Sequence, residues 1–230
     1  CDNAEQNAKQ YRHESERDAK TLIKLASMLG LEVVPERIEA YDISNLGAEH
    51  ITAGMIVTEG RSFKRSDYRS FKIKGLGNTT DDYASMRQVI DRRLSHLSDE
   101  DGSFSHLPDL ILLDGGRGHV STVKELLRER GMEHIAVFGM VKDEFHKTRA
   151  LCTENEEINI SRENAVFVFI YKIQEEVHRY TVSKMDSAKR KTLTKSSLTK
   201  IKGIGDSKAK ALLSALGGYA AVKSATAETL

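Results

Sequence analysis

A short, fully apolar run followed by a glycine-rich turn constrains the fold of this chain more than any other feature. Residues 110–113 read LILL after Pro108, and DGGRG follows at 114–118. Such a run, bounded by turn signals, is typical of a strand that is buried on both faces. A second apolar run spans 135–140, and the segment between the two runs carries apolar residues at helical spacing: Val120, Val123, Leu126 and Leu127. The pattern predicts a βαβ unit with two parallel strands.

The flanking segments predict a mixed sheet. The segments 38–44, 51–57 and 68–73 are separated by glycine or charged residues and predict three successive antiparallel strands. Helices are predicted at 3–29, 80–94 and 164–180, and a hairpin at 148–160. The resulting order β-β-β-α-β-α-β-α predicts an α/β fold with helices flanking a mixed sheet. It matches an RNase H-like arrangement better than a doubly wound nucleotide-binding fold.

Two aspartates lie where strand ends would present them to a metal ion. Asp42 is near the end of the first predicted strand, and Asp114 ends the buried run. In an RNase H-like sheet the first strand lies beside the fourth, so we expect these carboxylates to converge. Carboxylate oxygens are suitable ligands for Mg²⁺ or Mn²⁺. Asp114 has an alternative interpretation as a turn residue, whereas a carboxylate inside a strand costs free energy unless it is paired or metal-bound.

Three further polar residues have a structural as well as a functional interpretation. Asp81 and Asp82 begin the helix predicted at 80–94, where capping is the better interpretation for Asp81 and Asp82 stays a candidate carboxylate of the metal site. His178 lies on the polar face of the helix predicted at 164–180. Taken alone, that position is typical of a surface histidine without a function.

Overall composition indicates a globular chain in a reducing compartment. The 230 residues fit one or two domains, and 35 basic against 34 acidic residues leave a net charge of +1, which gives no indication of nucleic-acid binding. The two cysteines, Cys1 and Cys152, are too few for a disulfide framework or a Cys-rich zinc site, and a cytoplasmic location is expected. Because no apolar run approaches about 18 residues, we expect no membrane contact.

Basic residues are concentrated near the C-terminus. The segment 184–210 holds nine lysines and arginines against two aspartates, a composition that favours phosphate binding, with a solvated linker as the alternative. Apolar positions surround a Gly-Ile-Gly turn at 203–205, a pattern typical of a helix-hairpin-helix that offers backbone N–H groups to a DNA phosphate. The residues assigned to DNA binding are Lys200, Lys202, Gly203, Gly205, Lys208 and Lys210. A smaller basic group is either a second contact or a solvated loop: Lys142, His146, Lys147 and Arg149.

Several motifs, in this order, resemble the UvrC family of excision-repair nucleases. They read PERIEAYDISN at 35–45, DDYASM at 81–86, PDLILLDGG at 108–116 and VHRY at 177–180, and the resemblance spans essentially the whole chain. It implies an RNase H-like endonuclease that cuts 5′ of a DNA lesion. It further implies that Asp42, Asp114 and His178 are the catalytic and metal-binding residues and that Asp82 is a further catalytic acidic position. Whether His178 is a metal ligand or a proton-transfer group stays open.

The resemblance also implies a domain organisation and partners. It predicts a lead-in helix and linker at 1–34, the endonuclease domain at 35–192, and at 193–230 a helix-hairpin-helix domain whose second hairpin is incomplete and whose tail is mobile. The implied partners are damaged double-stranded DNA, UvrB in a complex with DNA, and UvrA acting upstream. The family's GIY-YIG nuclease, which cuts 3′ of the lesion, and its UvrB-binding segment are not matched in this sequence, so we expect no 3′ cut.

Two other functions fit parts of the sequence. A nucleotide-binding enzyme would use the turn at 115–118, but its spacing is not that of a dinucleotide-binding loop and no acidic residue closes the next strand. A non-catalytic DNA-binding scaffold would use only the helix-hairpin-helix. The presence of Asp42, Asp114 and His178 together argues against that alternative.

Overall fold

The computed structural model describes residues 2–45, 51–73, 81–97, 104–143 and 148–225. It divides into two compact units, Cys1–Val182 and Ser183–Leu230. The helices are α1 (Asp2–Leu29), α2 (Asp82–Ser95), α3 (Arg117–Glu129), α4 (Asn164–Thr199), α5 (Asp206–Ala215) and α6 (Tyr219–Ser224). The strands are β1 (Arg37–Asn45), β2 (Ile51–Glu59), β3 (Ser62–Phe63), β4 (Arg69–Lys72), β5 (Leu110–Leu113), β6 (Ala136–Lys142), β7 (Thr148–Cys152) and β8 (Glu157–Asn159). In the described part of the chain, no helix is long and apolar enough to cross a membrane.

All of these strands belong to one mixed sheet in the first unit. Its order is β3-β2-β1-β5-β6-β7-β8, and β4 also pairs with β2. The central strands β1, β5 and β6 are parallel to one another, while β2, β7 and β8 pair antiparallel with their neighbours. The βαβ unit predicted from the sequence is therefore confirmed as β5-α3-β6, and the predicted mixed sheet flanked by helices is confirmed with it.

Alternation along the central strands creates a hydrophobic core on each face of the sheet. In β5, Leu110 and Leu112 belong to one cluster, together with apolar residues of α1 and α4. Ile111 and Leu113 belong to the other, together with apolar residues of α2 and α3. Because both faces are covered, β5 contains no polar residue, and all four of its residues are buried.

A charged network lies inside the first unit beside β1. Glu39 is fully buried and accepts hydrogen bonds from Arg93 of α2, from Arg37 and from the Tyr41 hydroxyl. Arg93 also donates to the carbonyl oxygens of Phe104 and His106, in the segment that leads into β5. The network therefore joins β1, which contains Asp42, to the segment that leads into β5, which Asp114 follows.

Local sequence signals predicted the end of α1 correctly but not the end of α4. The helix predicted at 3–29 is confirmed as α1, and Gly30 follows it with a φ of 65°, a conformation that favours glycine. The helix predicted at 164–180 was too short, because α4 continues to Thr199. The segment 181–199 contains no glycine or proline that would end the helix, so α4 continues beyond its last regularly spaced apolar residues.

The second unit is small and helical. The end of α4 is followed by a turn in which Gly203 has a φ of 91°, and α5 begins after Gly205. Leu198 and Ala209 are its buried apolar residues in the described part. The predicted helix-hairpin-helix and the predicted boundaries at 34/35 and 192/193 stay predictions, as does the mobility of the tail, of which 226–230 lie outside the described residues.

Candidate metal centre

Parallel pairing of β1 and β5 brings Asp42 and Asp114 side by side. Tyr41 and Leu113 are partners in the register, and each is followed by one of the two aspartates. The backbone N–H of Asp114 donates to the Tyr41 carbonyl at 2.8 Å, which extends the pairing of β1 and β5 one residue beyond Leu113. The convergence expected from the strand order is therefore present in the structure.

His178 reaches the same point from α4. One ligand atom from each of Asp42, Asp114 and His178 lies within 4.8 Å of the other two. The Nδ1 atom of His178 is 3.4 Å from Asp42 Oδ2, and its side chain is 57% exposed. The three residues thus combine two carboxylates, whose side chains are 7% and 6% exposed, with an imidazole that is open to solvent.

A glycine in β2 allows α4 to approach this closely. Gly54 is the register partner of Asp42, and a Cβ atom placed on it would overlap the hydroxyl of Thr181, which is fully buried. Thr181 lies three residues after His178 in α4. The close contact at Gly54 therefore helps to fix the distance of His178 from Asp42 in β1. A glycine inside an apolar strand is the sequence signal that could have indicated this close approach.

Asp42 is held in an environment that penalises its negative charge. Its side chain is 7% exposed, and Oδ2 has no hydrogen-bond partner among the described residues. Burial, reinforced by the charge of Asp114, raises the pKa of Asp42 to about 6, against the opposing effects of His178, Thr181 and Lys142. A buried carboxylate oxygen without a hydrogen bond, next to a second carboxylate, is the arrangement that a divalent cation would stabilise.

Asp114 has partners on both oxygens. Lys142 Nζ lies 2.8 Å from Oδ2, and the side-chain amide of Gln174 donates to Oδ1 at 3.1 Å. Thr148 in turn donates to the amide oxygen of Gln174, and both of these residues are buried. Gln174 was missed in the sequence, although it lies one helical turn before His178 and therefore on the same face of α4.

The other predicted acidic residues lie outside this cluster. Asp81 is the N-cap of α2 and accepts a hydrogen bond from the Ala84 N–H at 3.0 Å, which confirms its capping role. Asp82 is exposed at the start of α2. Burial lowers the pKa of His119, and the charges of Asp82 and Asp114 act in the opposite direction. The catalytic role of Asp82 stays a prediction.

The residues assigned to DNA binding lie in the second unit, where Lys200, Lys202, Lys208 and Lys210 are exposed. The Lys208 ammonium donates to the Gly203 carbonyl at 3.1 Å, and Gly205 precedes the first turn of α5. In the smaller basic group, Lys142 pairs with Asp114 and Arg149 pairs with Glu157. His146 and Lys147 lie outside the described residues.

The raised pKa of Asp42 predicts a pH-dependent stability. In the folded protein the pKa is about 6, against an ordinary value of 3.8, so between these values the folded state keeps a proton that the unfolded state has lost. Stability without added metal should therefore fall as the pH rises from about 4 to about 6 and stay lower above that range.

Asp42→Asn removes this penalty. We expect the variant to be more stable than the parent chain at pH 8, by about 3 kcal/mol, and of similar stability at pH 4. Urea unfolding of both proteins in EDTA at the two pH values measures the difference. A difference that does not change with pH would contradict the assignment of the raised pKa to Asp42.

The topology is that of an RNase H-like fold, and the cluster is a candidate metal centre within it. The family model described as the UvrC RNAse H endonuclease domain matches residues 26–182, more than half of the chain. This chain therefore belongs to the UvrC family.

Full-length relatives are much longer than this chain. UvrABC system protein C of Alkaliphilus oremlandii is 41% identical over 229 residues, which cover 94% of this chain and 37% of that protein. UvrABC system protein C of Clostridium perfringens is 40% identical, with the same coverage of both chains. The chain thus spans little more than a third of the length of the curated relatives that it matches.

Among solved structures, the similarity is weak. Human ENDOV is 10% identical with a TM-score of 0.38, over 74% of this chain and 90% of that chain. Ciona intestinalis Endonuclease V, in complex with a 24mer DNA containing an inosine, is 17% identical with a TM-score of 0.37, over 61% of this chain and 59% of that chain. At these TM-scores the similarities carry no further conclusion.

Proposed function

We propose that this chain is a divalent-metal-dependent DNA endonuclease that makes the incision 5′ of a lesion in nucleotide excision repair. The observation that carries the proposal is the cluster of Asp42, Asp114 and His178, in which the buried Oδ2 atom of Asp42 accepts no hydrogen bond, in a chain of the UvrC family. Asp42, Asp114 and His178 are the proposed metal-binding and catalytic residues, and Asp82 is a proposed further catalytic residue.

The donor set fits Mg²⁺ or Mn²⁺. Two carboxylates supply the oxygen ligands that these ions prefer, and an imidazole nitrogen is compatible with Mn²⁺. When bound, such an ion activates water and stabilises the charge that develops on a phosphodiester. His178 is exposed enough to accept or deliver a proton at its imidazole, and Lys142 places a positive charge at Asp114, where a DNA phosphate would approach.

The second unit is proposed to hold the DNA as a helix-hairpin-helix. Its exposed lysines lie before and after the glycine turn, and α5 begins with backbone N–H groups that face no side-chain cap. Phosphate contacts of this kind do not read base sequence. We therefore propose that DNA structure, such as a junction between duplex and single strands, determines where this unit binds.

The salt dependence of DNA binding tests the proposed contact between the second unit and DNA phosphates. Changing Lys200, Lys202, Lys208 and Lys210 to Gln should weaken binding to junction DNA and reduce the slope of log K against log salt by roughly 0.9 for each phosphate that is no longer neutralised. A matched control carries four Lys→Gln changes in the first unit: Lys20, Lys24, Lys124 and Lys172. An equal reduction in both proteins would place the effect in overall charge, and a reduction only in the control would place the DNA contact in the first unit.

Partners and location are also proposals. The name of the relatives, UvrABC system protein C, supports damaged DNA as the substrate and UvrB and UvrA as partners. A cytoplasmic location is proposed because the two cysteines favour a reducing compartment, and Cys152 is a free, buried thiol.

A nicking assay tests the proposed function. The substrate is a labelled duplex with a bulky adduct, already nicked 3′ of the adduct, incubated with the chain, UvrA, UvrB and Mg²⁺ or Mn²⁺. We expect a single metal-dependent nick on the 5′ side, which EDTA abolishes. DNA binding without any nick would favour a non-catalytic scaffold, and a nick 3′ of the adduct would contradict the assignment of the 5′ incision.

A further inference from the structure

The glycine-rich turn after β5 has a role that the metal centre does not explain. A Cβ atom on Gly115 would lie 2.5 Å from Nδ1 of His119, and one on Gly118 would lie 2.7 Å from the ring of Tyr83. Gly116, between them, has open space at the same position. Two of the three glycines therefore leave room for two aromatic rings against the backbone of this turn.

Those two rings form a pair that joins α2 to α3. Tyr83 lies in the first turn of α2 and His119 in the first turn of α3. Their ring centroids are 4.6 Å apart with the planes inclined by 49°. The Tyr83 side chain is nevertheless 51% exposed. An aromatic ring that is held in place by a neighbouring ring and by backbone, yet stays half in solvent, is not a core residue.

The aromatic pair lies beside the proposed active site. His119 packs on Gly115, the residue that follows Asp114, and Tyr83 follows Asp82. The charges of Asp114 and Asp82 both act to raise the pKa of His119, against the effect of its burial. Any DNA strand whose phosphate reaches Asp114 would pass close to this exposed ring.

We propose that Tyr83, supported from behind by His119, is a stacking surface for an unstacked nucleobase next to the phosphate that is cut. Aromatic side chains bind unpaired bases by stacking, whatever the base, because every base has a π-face. Stacked duplex bases do not expose their faces, so this surface would favour distorted or single-stranded DNA beside a lesion. The inference rests on the proposed endonuclease function for the position of the strand.

Fluorescence of 2-aminopurine tests the stacking directly. The base analogue is placed in the unpaired strand next to the expected cut, and titrations with the chain are done in EDTA so that the DNA stays intact. We expect quenching by the parent chain, and in Tyr83→Ala a loss of quenching with roughly tenfold weaker binding. Tyr83→Phe keeps the ring and should restore both.

The turn glycines supply a matched pair of variants. Gly118→Ala should displace the Tyr83 ring without touching the acidic residues, and it should reproduce the loss of quenching seen in Tyr83→Ala. Gly116→Ala is the control, since its new methyl group meets open space. Circular dichroism checks that each variant is folded. Tyr83→Ala removes the ring and Gly118→Ala displaces it, so the two substitutions test the stacking surface in different ways.

The outcomes separate this inference from the proposed function. Normal quenching and affinity in Tyr83→Ala would overturn the stacking surface, whether or not the chain cuts DNA. Absence of quenching by the parent chain at every position next to the cut would also overturn it. A failure of metal-dependent nicking by the unmodified chain, with quenching intact, would instead contradict the endonuclease and leave a DNA-binding surface.

Discussion

Asp114→Asn is expected to lower the rate of metal-dependent nicking by at least about a thousandfold, because the carboxylate proposed to bind the ion is lost. Asparagine has nearly the same shape, so the hydrogen bond from Gln174 to the side-chain oxygen can persist while the charge that pairs with Lys142 disappears. Asp42→Asn should have an effect of the same size. Its fold should be intact, since the substitution removes a buried charge rather than a packed group.

Junction-DNA binding is measured on the same proteins by fluorescence anisotropy. Both variants should bind within about twofold of the parent, because neither substitution removes a lysine of the second unit or the Tyr83 ring. Asp91→Asn is the control, since Asp91 of α2 pairs with Arg130, has a side chain that is 44% exposed, and should not affect nicking. Nicking by either active-site variant at more than about a tenth of the parent rate would contradict the role of that carboxylate.

Arg93→Met is expected to reduce the free energy of unfolding by about 3–5 kcal/mol. The Arg93 side chain is 1% exposed, and Glu39, its partner at 2.8 Å, is fully buried. Removing the guanidinium leaves a buried carboxylate with Arg37 as its remaining cation and leaves the carbonyl oxygens of Phe104 and His106 without this donor. The loss is large beside a total stability of about 5–15 kcal/mol for an ordinary domain.

The control for Arg93 lies on the same helix. Arg87 pairs with Glu129 at the surface, where the two side chains are 36% and 51% exposed, and Arg87→Met should cost less than about 1 kcal/mol. Urea unfolding followed by circular dichroism measures both. Equal losses of unfolding free energy in the two variants would contradict the view that burial makes the Arg93 pair more stabilising than a surface pair.

The placement of Asp42 and Asp114 was predictable once the order of elements indicated an RNase H-like sheet, in which the first strand lies beside the fourth. The apolar run 110–113 alone identified the strand before Asp114, but it did not show which strand lies next to it. The environment of each carboxylate was not predictable in this way. Gln174 and Lys142 reach Asp114 from α4 and β6, and those contacts depend on how elements that are distant in sequence pack together.

The surroundings of His178 could not be predicted from the sequence either. Periodicity correctly places it on a polar face of α4, but periodicity says nothing about what that face lies against. The answer depends on Gly54, which lets Thr181 approach β2 opposite Asp42 and so positions the histidine. From the sequence, only the resemblance to a known family assigns a function to His178.

The length of α4 was mispredicted for a related reason. Its apolar stripe ends near Tyr180, and the basic composition that follows looks like a linker, but a helix needs a breaking residue or a competing contact to stop. None of the residues from 181 to 199 is glycine or proline, and the helix ends at Thr199 before the Gly203 turn. The helix end was therefore predicted too early because it was taken from the apolar stripe alone.

Anomalous diffraction from crystals of this chain grown with Mn²⁺ tests the proposed metal centre most directly. We expect a peak for Mn²⁺ with oxygen atoms of both Asp42 and Asp114 within about 2.5 Å, and with the His178 imidazole either bound or facing the ion. A Mn²⁺ ion bound elsewhere, or carboxylate oxygens of residues 42 and 114 that share no ion at saturating metal, would contradict it.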